Sequence, residues 1–116
     1  MNSILTSVKQ LLGIEDNYTE FDADIIIHIN AVFMILRQVG VGPVNGFSIS
    51  DKFANWTDFL PKEDPNHEAV KSYMYAKVRL MFDPPASSIL KECLQKMVDE
   101  LEWRLNIEAE TYSETQ

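Results

Sequence analysis

Apolar residues recur at steps of three and four along most of this chain, in segments broken by glycine, proline and asparagine. The first segment places Ile4, Leu5, Val8, Leu11 and Leu12 on one helical face, with Gly13 as its stop. Thr19 is the expected N-cap of a second helix, with Asp22 as its acidic partner and Asp24 also near the positive helix end. That helix lines up Phe21, Ile25, Ile29, Val32, Phe33, Leu36 and Val39. Its other side is not properly polar, because Ile27, Ala31 and Met34 lie there with Asn30, Arg37 and Gln38. A helix apolar on two sides is central in a domain or contributes to a subunit interface. The stretch from Gly40 to Leu60 is irregular: Gly40, Gly42, Pro43, Asn45 and Gly46 are turn residues, and Phe47, Ile49 and Phe53 suggest an extended segment or a short β-hairpin. Asn55 then caps one helical turn that ends before Pro61.

Asp64 and Pro65 suit the N-cap and first position of a further helix, running to Phe82. Only Glu68, Lys71, Ser72 and Arg79 form a polar strip on it. Lys77 falls among apolar neighbours, either as a snorkelling stem or as half of an ion pair across a subunit contact. Asp83-Pro84-Pro85 must break the helix, since proline fixes its own φ and disfavours helix in the residue before it. The last helix is expected over Ser88–Ile107, capped by Ser87 or Ser88, with Leu90, Leu94, Met97, Val98, Leu101 and Leu105 as its core stripe. Glu92, Asp99 and Glu102 make an acidic face opposite. Trp103 lies off the stripe, in line with Ile89, Lys96, Glu100 and Ile107, and is either covered by the Gly40–Leu60 loop or offered to a partner. The reading is an all-α bundle of four to five helices in one domain, 1–107, followed by an acidic flexible tail, 108–116.

Composition narrows the function more than the fold. The net charge of −8 argues against wrapping nucleic acid through phosphate neutralisation, yet it suits a passage along which DNA slides without sticking. Cys93 is the single cysteine, so no intrachain disulfide forms, and its place beside the core stripe suggests a small buried hydrophobe. The run from Ile25 to Leu36 is too short and too polar to span a bilayer, and MNSILTSVKQLLG lacks the features of a secretory signal.

Residues for chemistry are sparse. His28 and His67 sit on different helices without neighbours at metal-ligand spacing. Gly40-Val-Gly42-Pro-Val-Asn-Gly46 follows a helix and lacks a phosphate-binding lysine, so it is not read as a nucleotide loop. No catalytic residue, metal or cofactor is expected.

One segment carries a resemblance. Tyr73-Met-Tyr-Ala-Lys77-Val-Arg79-Leu-Met-Phe82-Asp83-Pro84-Pro85, followed by Glu100-Leu-Glu102-Trp103-Arg104-Leu105, resembles the small head–tail connector (adaptor) proteins of long-tailed bacteriophages and prophages. The similarity extends over most of the chain, through Val39-Gly40-Val41-Gly42 and Trp56-Thr57-Asp58-Phe59-Leu60. It implies a structural virion protein without catalytic activity, made in the bacterial cytoplasm. Such a protein forms a ring of about twelve copies at the head–tail interface. The implied partners are the portal, a stopper or tail-completion protein and further copies of itself, with double-stranded DNA passing through and no membrane involved. Related connectors grip the portal with the C-terminal segment, here Asn106 to Gln116, and turn inter-helix loops to the next ring or the lumen, here Gly42 to Leu60. The contact candidates are therefore Trp103, Arg104, Ile107 and Tyr112; Ile27, Met34 and Lys77; and Phe47 and Trp56, with Glu92, Asp99 and Glu102 as possible lumen lining. The rival class is an acidic helical regulator, such as a DNA mimic, which would need acids spaced like phosphates over a continuous surface.

Overall fold

The computed structural model describes residues 3–114, with side chains to residue 110. Among these residues it holds helices α1 (Ile4–Leu11), α2 (Asp22–Gln38), α3 (Trp56–Phe59), α4 (His67–Phe82) and α5 (Ser88–Glu114), and no strand. α4 is the centre: it packs against α1, α2 and α5. That placement explains why Val70, Tyr73, Met74, Ala76 and Val78 are all buried on a helix with only a narrow polar strip. α2 contributes Ile25, Ile29, Val32 and Leu36 to the same core, α1 contributes Ile4, Leu5 and Val8, and α5 contributes Val98 and Leu105. The result is a flattened body with extents of 44 × 34 × 20 Å.

The first two helices are joined around a buried cation that the hydrophobic pattern does not reveal. Lys9 is 1 % exposed, and its Nζ lies 2.8 Å from Asp22 Oδ1 while donating to the carbonyls of Asp16 (3.0 Å) and Tyr18 (2.8 Å). Residues 16–21 thus wrap the ammonium group instead of starting a helix. This corrects the expected N-cap: Thr19 accepts a turn hydrogen bond from the Asp22 N–H, and α2 begins at Asp22 after Phe21. A similar shift occurs at α4, where Asp64 Oδ1 accepts from the Asn66 N–H in a turn and the helix starts at His67, beyond Pro65.

No hairpin forms in the middle of the chain. Asn30, on α2, takes the place of a partner strand: its Nδ2 donates to the Ile49 carbonyl (2.9 Å) and its Oδ1 accepts from the Ile49 N–H (2.8 Å). Both backbone groups of this buried residue are satisfied without a ladder. In the same core Phe33, Phe47 and Phe59 pack with ring centroids 4.6 to 5.3 Å apart, and Trp56 adjoins Phe33 at 6.5 Å. Asn55 and Asp58 form a reciprocal capping box on α3, as the spacing suggests.

At the α4–α5 corner the Asp83 N–H donates to the Arg79 carbonyl, and Arg79 Nε returns a 3.0 Å bond to the Asp83 carbonyl. Ser87 is the cap of α5, its Oγ accepting from the Leu90 N–H. Two expectations for α5 change. Leu90 and Cys93 are exposed, because the first turns of the helix rim a small cleft with Tyr75, Arg79 and Pro85 instead of packing into the core. The helix also continues past Ile107 to Glu114, so the first part of the expected tail is helical. Its continuation is held against the end of α2, where Asn106 Nδ2 donates to the Val39 carbonyl and Ala109 lies beside Gly40.

Candidate interaction surfaces

Two helices keep apolar faces that the core does not use. On α2, Ile27 (65 % exposed) and Met34 (57 %) stand two turns apart on the side opposite Ile25, Ile29, Val32 and Leu36. On α5, Ile89, Trp103 and Ile107 are exposed along a stripe opposite Val98 and Leu105. Trp103 is 63 % exposed, so the loop from Gly40 to Leu60 does not cover it. Charges on this stripe are paired along the helix, Lys96 with Glu92 (3.8 Å) and Arg104 with Glu100 (3.3 Å). Such exposed pairs leave the stripe nearly neutral locally and add little stability.

The other candidates divide differently. Trp56 is 2 % exposed, with Nε1 donating to Ser7 Oγ and the Lys71 ammonium 5.9 Å from its ring centre. Phe47 is half-buried against Phe33 and Phe59. Both aromatics serve the core of their own chain. Lys77 is half-buried with no ion pair among the described residues, and the side chain of Tyr112 lies outside them.

The acidic face is broken. Glu102 turns toward α4 and accepts a 2.7 Å hydrogen bond from the Tyr73 hydroxyl. Burial, the hydrogen bond to Glu102 and the nearby negative charges of Glu102 and Asp99 push the Tyr73 phenol well above its ordinary range. Glu92 is paired with Lys96, and exposed Asp99 accepts from Gln95 Nε2. These three acids therefore form no continuous phosphate-like array.

One feature has no counterpart in the sequence reading: an open groove of about 790 Å³ between the C-terminal half of α5 and the loop after α2. Its floor is apolar (Val41, Phe59, Leu60, Leu105), and Asp64 and Glu108 stand at its edge. Gly42 makes it possible. With φ at +93°, and with a Cβ there falling 2.4 Å from Phe59 Cε1, no other residue lets the loop approach the Phe59 ring so closely. The glycine and proline content of residues 40–43 and 61–65 was the available signal for a shaped loop, but not for a groove. Among the described residues no group of His, Cys, Asp and Glu side chains could hold a metal ion, and no helix is long and apolar enough to cross a membrane.

A family model described as phage connector protein matches residues 4–112. The chain belongs to the phage connector protein family. The resemblance drawn from Phe82-Asp83-Pro84-Pro85 and Glu102-Trp103-Arg104-Leu105 therefore holds over nearly the whole chain, from the start of α1 into the last turns of α5. Connectors are structural virion components, and membership places this chain among them. No curated protein and no solved structure matches this connector.

Proposed function

We propose that this connector acts as a ring-forming adaptor between the portal of the phage head and the tail, extending the channel through which DNA passes. The observation that carries this reading is the pair of dissimilar apolar faces, Ile27 with Met34 on α2 and Ile89 with Trp103 and Ile107 on α5, on a chain whose core is already filled by other residues. A closed ring of like subunits requires heterologous contacts, one patch of a copy meeting a different patch of its neighbour. Two unlike faces on separate helices meet that requirement, whereas a two-fold dimer would need one self-complementary patch. The net charge of −8 suits a lumen that must not retain DNA. The end of α5, from Asn106 onward, is the segment this reading gives to the portal. The DNA-mimic reading lacks comparable support, because Glu102 is turned inward.

The test is electron microscopy of the chain mixed with its portal assembly. A ring of added density at the tail-facing end of the portal is expected for the native chain, and its absence would overturn the portal assignment. Replacing Ile27 and Met34 together by Asp should abolish the ring without unfolding the monomer, since both are exposed. A ring indistinguishable from the native one would remove the α2 face from the contact.

A further inference from the structure

The groove beside α5 has a complement elsewhere on the same chain. Phe53, at the tip of the segment that precedes α3, is 75 % exposed. The Lys52 ammonium stands 5.7 Å from the centre of its ring, which makes the pair an aromatic knob bearing a positive charge. The knob is held from behind and not from the side. Ser3 Oγ donates to the Lys52 carbonyl (2.6 Å), the Ile4 N–H donates to the Ala54 carbonyl (3.0 Å), and the Phe53 N–H is fixed by Asp51 Oδ1 (2.9 Å). The backbone is therefore set while the ring points out. The groove offers the opposite pattern, an apolar floor edged by Asp64 and Glu108. The knob adjoins the start of α1 and the groove adjoins the C-terminal half of α5, so the two are separate features of one subunit.

We infer that the groove receives Lys52 and Phe53 of a second copy of this chain, the ring lying on the apolar floor and the ammonium meeting the carboxylates at the edge. The inference rests on the ring-forming reading above and deepens it. It adds a head-to-tail contact that joins the loop of one subunit to the α5–loop groove of the next. Hydrophobic burial supplies the attraction, and the charge pair fixes the direction in which the knob enters.

The experiment uses two full-length variants, each lacking one half of the contact. Phe53→Asp removes the knob at an exposed site, and Glu108→Arg reverses the charge at the groove edge, also at an exposed site. Ala109→Glu, which crowds the groove lining beside Gly40, serves as a second groove variant, and circular dichroism checks that each remains helical. Ring formation on portal assemblies and self-association by sedimentation velocity are both read. Each variant alone should form no ring and should self-associate at least about tenfold more weakly than the native chain. An equimolar mixture of Phe53→Asp with Glu108→Arg, or with Ala109→Glu, should restore a one-to-one complex but not a ring, because only one productive knob–groove pair remains. In parallel, a photoreactive phenylalanine at position 53 should cross-link to the residue 105–109 segment, and mixing isotopically light and heavy chains should show the link to be between copies. Native rings with unaffected variants, or cross-links from position 53 to the portal or another protein, would overturn the inference while leaving the ring reading intact. Absence of rings from the native chain would overturn both.

Discussion

Asn30→Ala should destabilise this protein out of proportion to the volume it removes. The Asn30 side-chain amide holds both the N–H and the carbonyl of Ile49, at 2.8 and 2.9 Å, where Ile49 is buried. Alanine leaves a donor and an acceptor of the buried Ile49 without partners. An unsatisfied buried polar group costs about 1–3 kcal/mol. The two together should therefore cost about 2–6 kcal/mol, with the lower end applying if water enters beside the half-buried amide. Asn30→Asp should recover only part of this, because a carboxylate still accepts from the N–H but repels the carbonyl. Urea unfolding gives the free energy, and hydrogen exchange at the Ile49 amide gives the location. The expected result is a lower midpoint at unchanged slope, with the Ile49 amide exchanging faster in the alanine variant. A loss below about 0.5 kcal/mol, the range of an ordinary surface substitution, with Ile49 still protected, would refute the reasoning.

Four further outcomes follow from the same structure. Gly42→Ala should cost more than Gly13→Ala by urea unfolding: both have positive φ, but a Cβ at Gly42 meets Phe59 at 2.4 Å and one at Gly13 meets nothing, so the first adds a clash to a backbone strain of about 1–2 kcal/mol. Lys9→Ala should destabilise by about 3–5 kcal/mol, because it strands the Asp22 carboxylate and two carbonyls, whereas Asp22→Asn, which leaves both carbonyl bonds in place, should cost less in the same assay. The Tyr73 phenol is raised in the folded state, so its stabilising contribution is complete below its unfolded value of about 10 and is lost as pH rises beyond it. Native protein should thus lose stability above about pH 10 more steeply than Tyr73→Phe, and parallel curves would contradict that assignment. Of the two tryptophans, Trp103 should be quenched by iodide and Trp56 should not, which Trp103→Phe and Trp56→Phe separate by fluorescence; ring formation should then shield Trp103.

The long-period features of this fold were legible in the sequence because they depend on burial alone. The faces of α1, α2 and α4, the stop at Gly13, the break at Asp83-Pro84-Pro85 and the capping box of Asn55 with Asp58 all express local pattern or local sterics, although Leu11 and Phe21, placed on the core faces by their spacing, stand exposed at the helix ends. What escaped depends on contacts distant in sequence. Lys9 reads as an ordinary polar residue until the 16–21 segment closes over it, and that closure is what displaces the cap from Thr19 to Phe21. Asn30 reads as an interruption of an apolar helix until Ile49 arrives from nineteen residues away. At the surface, Ile27, Met34 and Trp103 were identified because periodicity marks a residue as off the core stripe. Trp56, a contact candidate by its sequence, is buried in its own chain, and a helical turn of four residues is too short to carry a period from which to infer its direction. The groove was invisible for a related reason: it is a space between segments, set by the left-handed backbone at Gly42.

The apolar faces of α2 and α5 have a consequence for when assembly happens. A free subunit displays Ile27, Met34, Trp103 and Ile107 to water and would gain by covering them, yet every subunit also carries a charge of −8. Bringing copies side by side concentrates like charge before the apolar surfaces are fully joined, so the first encounter is disfavoured more than the finished contact. On the ring-forming reading proposed above, spontaneous polymerisation is thereby slowed, and a completed template that already fixes the positions of neighbouring copies removes the barrier. On that reading the balance of surface and charge works as a nucleation control, which sets the order in which the particle is built and not only the shape of its parts.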